Sequence, residues 1–238
     1  MRRGRYLSDH QIISLKDVKL TLPSRAGPVE ILRGIDFAAE RGEAVGLIGP
    51  SGSGKTTLLM VIAGLEAVSG GSIAVAGEDL TRLDEDALAV FRRDNVGIVF
   101  QAFHLIATMT ALENVAVPLE FKGDRRAFDH ARTQLERVGL GHRLHHYPGQ
   151  LSGGEQQRVA IARALAAGAR ILLADEPTGN LDQETGATII DLLFSLQRED
   201  GVTLVLVTHD PALAAQCSRV VRIEDGLIRE GEAEMAAP

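Results

Sequence analysis

The stretch Ala44-Val45-Gly46-Leu47-Ile48-Gly49-Pro50-Ser51-Gly52-Ser53-Gly54-Lys55-Thr56-Thr57-Leu58-Leu59 decides the reading of this chain. Its first five residues are an apolar run of the length expected for a strand buried on both faces. From Thr57 onward a helical pattern begins. Between them, residues 49–56 match G-x-x-x-x-G-K-[ST]. Glycines let successive backbone N–H groups turn toward one point, and a helix N-terminus adds a favourable dipole, so a strand–loop–helix of this kind cradles phosphate. Lys55 is placed to reach the β- and γ-phosphates of a triphosphate, and Thr56 to ligate Mg²⁺. The candidate nucleotide-binding residues are therefore Gly49, Pro50, Ser51, Gly52, Ser53, Gly54, Lys55, Thr56 and Thr57. Lysine occurs at only four positions (16, 19, 55 and 122), which makes a chance match rare.

Working outward, residues 96–100, 171–174 and 202–207 repeat the apolar-run pattern of strands in a parallel sheet. The run at 171–174 ends in Asp175-Glu176. Ligands of open α/β sheets bind beyond the carboxyl ends of strands. Asp175 is accordingly a candidate Mg²⁺ ligand beside the phosphates, and Glu176 a candidate to polarise an attacking water. Helical patterns separate the strands. Asp84-Glu85-Asp86 opens one with acids and Arg92-Arg93 closes it with bases, as the helix dipole favours. Phe128, Ala131, Leu135 and Val138 recur at helical spacing, with Gly139 as the stop. Asp210-Pro211 provides a cap followed by proline at the first helical position. Residues 12–40 look like an antiparallel pair of strands turning at 23–28. From about 108 to 167 no strand pattern occurs, so a helical insertion interrupts an α/β core.

Composition narrows the class. The 238 residues carry 25 Lys+Arg against 32 Asp+Glu, a formal net charge of −7. That argues against general nucleic-acid binding. Cys217 is the only cysteine, which excludes an intrachain disulfide and a Cys-based zinc site. It reads as a small core residue. His142, His145 and His146 share helical spacing but lack accompanying thiols or paired carboxylates, so a solvated or capping role is expected. No apolar run approaches the ~18–20 residues of a spanning helix. Arg2, Arg3 and Arg5 lead no apolar stretch, so the start is not a secretory signal and reads as a loose arm over 1–11. Residues 232–238 read as a tail.

One further segment carries chemistry. Leu151-Ser152-Gly153-Gly154-Glu155-Gln156-Gln157-Arg158 precedes an amphipathic helix through Val159, Ile161, Ala162 and Leu165. Ser152 and Glu155 have capping-box spacing. Ser-Gly-Gly at a helix start is also a second anion site. Two such sites suit a head-to-tail dimer, each nucleotide lying between one chain's phosphate loop and the other's Ser-Gly-Gly.

This segment resembles the signature of ABC-type ATPases. Further family elements follow in order: Gln101 resembles the Q-loop glutamine, Asn180-Leu181-Asp182 the D-loop, and His209 in Val207-Thr208-His209-Asp210 the switch histidine. The resemblance covers about residues 12–232. It implies an α/β fold with a RecA-like P-loop core, an antiparallel β subdomain and an inserted α-helical subdomain at about 102–168, within an ATPase domain spanning 12–231. It implies ATP hydrolysis with Mg²⁺. Glu176, His209 and Lys55 would be catalytic, Thr56, Gln101 and Asp175 would hold the metal, and Ser152, Gly153, Gly154 and Asp182 would join the nucleotide site of a dimer. Leu22 falls where the family places an aromatic residue against adenine, which leaves base selectivity open. Ala107 falls where the group often has proline.

The segments at 111–119 and 174–182 resemble the lipoprotein-releasing and macrolide-exporter group of bacterial ABC ATPases, and Phe194-Ser195-Leu196 with the Cys217 region lean toward its YbbA-like branch. The resemblance implies a second copy of the chain as one partner. The other would be a separate four-helix permease with a periplasmic domain, through which the chain would sit peripherally at the cytoplasmic face of the inner membrane. The alternative is a regulatory ABC ATPase acting through a membrane partner on cell-envelope enzymes. The motifs would be the same in both.

Overall fold

The computed structural model describes residues 10–25 and 27–229. Most of the expected N-terminal arm, with Arg2, Arg3 and Arg5, and the tail at 232–238 lie outside the described residues. In chain order the strands are β1 (Gln11–Ser24), β2 (Gly27–Glu40), β3 (Ala44–Ile48), β4 (Gly70–Val75), β5 (Glu78–Asp79), β6 (Val96–Phe100), β7 (Ile171–Asp175), β8 (Thr203–Val207), β9 (Arg219–Glu224) and β10 (Leu227–Arg229). The helices are α1 (Lys55–Ile62), α2 (Glu85–Asn95), α3 (Ala111–Phe121), α4 (Ala127–Arg137), α5 (Gly153–Ala166), α6 (Gln183–Asp200) and α7 (Pro211–Ala214). The chain divides into two compact units, residues 1–90 with 203–238, and residues 91–202.

In the first unit, β1 and β2 form a long antiparallel hairpin that turns between Ser24 and Gly27, as the sequence predicts. β4 pairs on the other edge of β1 and β5 on β4, giving the antiparallel order β2-β1-β4-β5. Ile13, Leu15, Val18 and Leu20 of β1 are buried, the inward side chains of a half-buried sheet. The same unit holds β3 between β8 and β9, parallel to both, with β10 antiparallel to β9. Apolar runs such as Ala44-Val45 and Leu204-Val205-Leu206 are fully covered, as a strand flanked on both edges and both faces requires. Leu58, Leu59, Val61 and Ile62 are the buried residues that seat α1. Cys217 is buried, its thiol close to Gly46, and burial pushes that thiol up to about 12.

In the second unit β6 and β7 run parallel, α5 packs on β6, and α3, α4 and α6 pack against α5. Gly97 of β6 lets α5 approach: a Cβ there would lie 2.3 Å from the carbonyl oxygen of Ala164. Between β6 and β7 the described chain is helix and turn only, in agreement with the sequence pattern. Two local expectations are corrected. The inner stripe of α4 is Ala127, Ala131 and Leu135, whereas Phe128 is 46% exposed. At 100° per residue Phe128 falls at the edge of this stripe, just beyond Leu135, where its ring stays partly exposed. His142 and His145 lie on turns and His146 in the irregular stretch that follows, because Gly139, at φ 75°, ends the helical path before them.

Among the described residues, no helix is long and apolar enough to cross a membrane.

Candidate functional site

The phosphate loop belongs to the first unit. Gly54 takes φ 103° directly before α1, and Gly49 takes φ 148° after β3. At Gly49 a Cβ would sit 2.0 Å from the carbonyl oxygen of Ile223, so no side chain fits without moving backbone. At Gly54 it would meet Leu32 at 3.0 Å and the carbonyl oxygen of Ile31 at 3.2 Å. Neighbouring strands thus press the loop into a glycine-only path. The Lys55 ammonium is buried and donates to the carbonyl oxygens of Gly49 at 2.9 Å and Pro50 at 2.8 Å. Neither carbonyl bears a formal charge, so an anion in the loop would add charge complementarity that these two bonds do not supply. Ser53 Oγ is buried without a hydrogen-bond partner, a group that a phosphate oxygen would satisfy. Thr56 is exposed. The residues present therefore fit a triphosphate.

Leu22, on β1, stands opposite Val29 of β2, and Val29 is 44% exposed. The position expected to face a base is thus an aliphatic pair without a π face. His209 lies exposed just after β8, and the Asp210 carboxylate caps α7 by accepting from the Ala212 N–H.

The remaining candidates belong to the second unit. Asp175 ends β7, and Glu176 follows with φ 45°, a left-handed backbone unusual for a side-chain-bearing residue. The Gly179 N–H returns to the Glu176 carbonyl at 3.0 Å, closing the turn. Gln101 follows β6 directly. Its Nε2 donates to Asn180 Oδ1 at 3.2 Å, and Asn180 Nδ2 donates back to the Gln101 carbonyl oxygen at 2.9 Å. The next residues are strained: Phe103 has φ 59° and His104 φ 48°. The Arg163 guanidinium, from α5, donates to both of their carbonyl oxygens, at 2.9 and 2.6 Å. Asn114, fully buried in α3, closes the far end. It accepts from the Ile106 N–H at 2.8 Å and donates to the carbonyl oxygens of Ile106, Met109 and Thr110 at 3.0–3.1 Å. Sequence reasoning missed these three polar anchors; only the isolated Asn114 on an apolar helix face signals one of them.

The signature starts α5 with the expected capping box. The Ser152 N–H donates to Glu155 Oε2 at 2.8 Å and the Glu155 N–H to Ser152 Oγ at 3.3 Å. The bond from the Ser152 N–H, then the Ser152 hydroxyl and the Arg143 guanidinium at 2.9 Å, hold the Glu155 carboxyl below its ordinary range. Ser152 Oγ accepts from the Glu155 N–H, and its hydroxyl also donates to the Glu155 carboxylate. The two glycines also serve packing: a Cβ on Gly154 would meet Thr185 at 2.5 Å, and one on Gly153 would meet Leu181 at 3.1 Å. Asp182 caps α6 by accepting from the Thr185 N–H at 2.9 Å. That hydrogen bond is the main reason its carboxyl is held low.

A phosphate loop, an acidic strand end and a capped Ser-Gly-Gly helix start define a nucleotide-hydrolysing cassette. Residues 32–179 match the ABC transporter family model. The chain is 48% identical over 221 residues to the ABC transporter ATP-binding protein YbbA of Escherichia coli (strain K12), covering 92% of this chain and 97% of that one. It is 46% identical over 219 residues to the macrolide export ATP-binding/permease protein MacB of the same strain, covering 91% of this chain but 34% of that protein. The dimeric structure of a post-hydrolysis state of the ATP-binding cassette MJ0796, bound to ADP and Pi, superposes with a TM-score of 0.85 at 40% identity, covering 95% of this chain and 99% of that one. The chain belongs to the ABC transporter ATP-binding family. It has the mixed α/β cassette fold of that family and is an ATP hydrolase.

Proposed function

We propose that the chain is the ATP-hydrolysing subunit of a bacterial export or extraction complex, closing head to tail with a second copy and driving a separate permease at the inner membrane. The observation that carries this reading is the near full-length 48% identity to YbbA. MacB, by its name, joins such a cassette to a permease in one protein. Lys55 and the N–H groups of residues 49–57 would hold the β- and γ-phosphates. Thr56, Gln101 and Asp175 would hold Mg²⁺; a hydroxyl, an amide and a carboxylate are hard oxygen donors that suit it. The ion would supply charge neutralisation at the phosphates. Glu176 would take a proton from the attacking water, and His209 would contact the γ-phosphate. Leu22 would lie against the base. Ser152, Gly153, Gly154 and Asp182 would complete the nucleotide site of the second copy.

Residues 103–109 would receive a short cytoplasmic helix of the permease. Ile106 is 40% exposed there, and the segment's backbone is anchored by Arg163 and Asn114. Single cysteines introduced at 103–113 in a Cys217→Ser background test this, with crosslinking to a co-purified permease. A crosslink from this segment is expected. A complex that co-purifies without one places coupling elsewhere, and the absence of any permease overturns the transport reading.

A further inference from the structure

The hydrogen bonds around Gln101 have a fixed polarity. A backbone carbonyl can only accept, so the end of the Asn180 amide that meets the Gln101 carbonyl oxygen, at 2.9 Å, is its NH₂. Asn180 Oδ1 is thereby the atom presented to the Gln101 side chain, 3.2 Å away. An oxygen without a proton demands a donor, so the Gln101 end that faces it is Nε2. One proton of the Gln101 NH₂ is thereby engaged, and Oε1 is the end of the amide turned away from Asn180. Gly179 makes this placement possible: a Cβ there would lie 2.6 Å from Gln101 Nε2, 2.9 Å from Cδ and 3.2 Å from Cγ. The glutamine side chain rests against bare backbone.

A hard cation is bound by amide oxygen, not amide nitrogen, and an amide free to turn presents either end. We propose that Asn180 is a positioning residue that fixes the Gln101 amide so that its oxygen, not its nitrogen, is presented to the metal ion of the bound nucleotide. Gly179 supplies the space in which that orientation is held. This rests on the reading of Gln101 as a metal ligand. Residues orienting a ligand from behind commonly change metal affinity by about tenfold or more.

The test is the gain in affinity that Mg²⁺ gives a fluorescent, non-hydrolysable ATP analogue, titrated in EDTA and in saturating Mg²⁺. Asn180→Ala is expected to reduce that gain about tenfold while leaving affinity in EDTA unchanged. Gly179→Ala displaces the same glutamine without touching the asparagine, and a similar reduction is expected. In a Gln101→Ala background neither change should have any further effect. A gain that survives Asn180→Ala but falls with Gln101→Ala overturns the positioning role alone. An equal loss from Asn180→Ala with and without Gln101 also overturns it, since the effect would not act through the glutamine. A gain unaffected by Gln101→Ala overturns the metal reading of Gln101, and the proposal with it.

Discussion

Lys55 shows how a single residue is set for its task. Its ammonium is buried and donates to two neutral carbonyls, and a phosphate anion would add the charge complement they lack. Charge-assisted hydrogen bonds contribute roughly 1.5–3 kcal/mol. Lys55→Ala should therefore weaken ATP binding by about a hundredfold and abolish turnover, measured by calorimetric titration and phosphate release. Unchanged affinity would contradict the phosphate-loop assignment. Leu22 is the opposite case, a position where the usual chemistry is missing. Leu22 and Val29 offer apolar contact to a base but no stacking. GTP should support turnover within about tenfold of ATP, and Leu22→Tyr should tighten ATP binding. Strong rejection of GTP would mean that another residue reads the base.

At the scale of elements, the segment between β6 and α3 is held by side chains rather than by regular pairing. Asn114 alone makes four hydrogen bonds to it from a fully buried position. Asn114→Ala would leave the Ile106 N–H without that acceptor and open a small void. A loss of about 2–4 kcal/mol in urea unfolding is expected; a change below ~0.5 kcal/mol would show the segment is held by other means. The same region shows what the sequence could and could not reveal. Strands β3, β6, β7 and β8, the hairpin turn, and the caps at Ser152 and Asp210 rest on local patterns a few residues long, and all were legible. The contacts of Gln101 with Asn180 and of Arg163 with Phe103 and His104 span 59 to 79 residues. No periodicity encodes them, because polar pairing at that separation depends on the completed packing. Phe128 failed for a smaller reason. Helical spacing places Phe128 at the edge of the buried face of α4, and spacing alone does not say how far the covering elements reach past Leu135.

For the whole molecule, the number of helix starts proposed to bind phosphate matters. One chain carries two, at α1 and α5, one in each compact unit. A single triphosphate has one γ-phosphate, and two copies arranged head to tail would bring two starts, α1 of one copy and α5 of the other, to each nucleotide. MJ0796 supplies a dimeric cassette of the same fold. Glu176→Gln keeps the shape of the side chain but cannot accept a proton from water, so bound ATP should persist and hold two copies together. Size-exclusion chromatography of Glu176→Gln should show a dimer with ATP and Mg²⁺ that returns to monomer with ADP. Ser152→Asp in the same background separates this from nonspecific association. Aspartate caps a helix as well as serine does, so α5 should remain folded, but its carboxylate would face the partner's γ-phosphate. The double variant should bind ATP as a monomer with the affinity of a single chain. A dimer that survives Ser152→Asp would remove the signature from the interface, and wild-type hydrolysis by Glu176→Gln would remove Glu176 from catalysis.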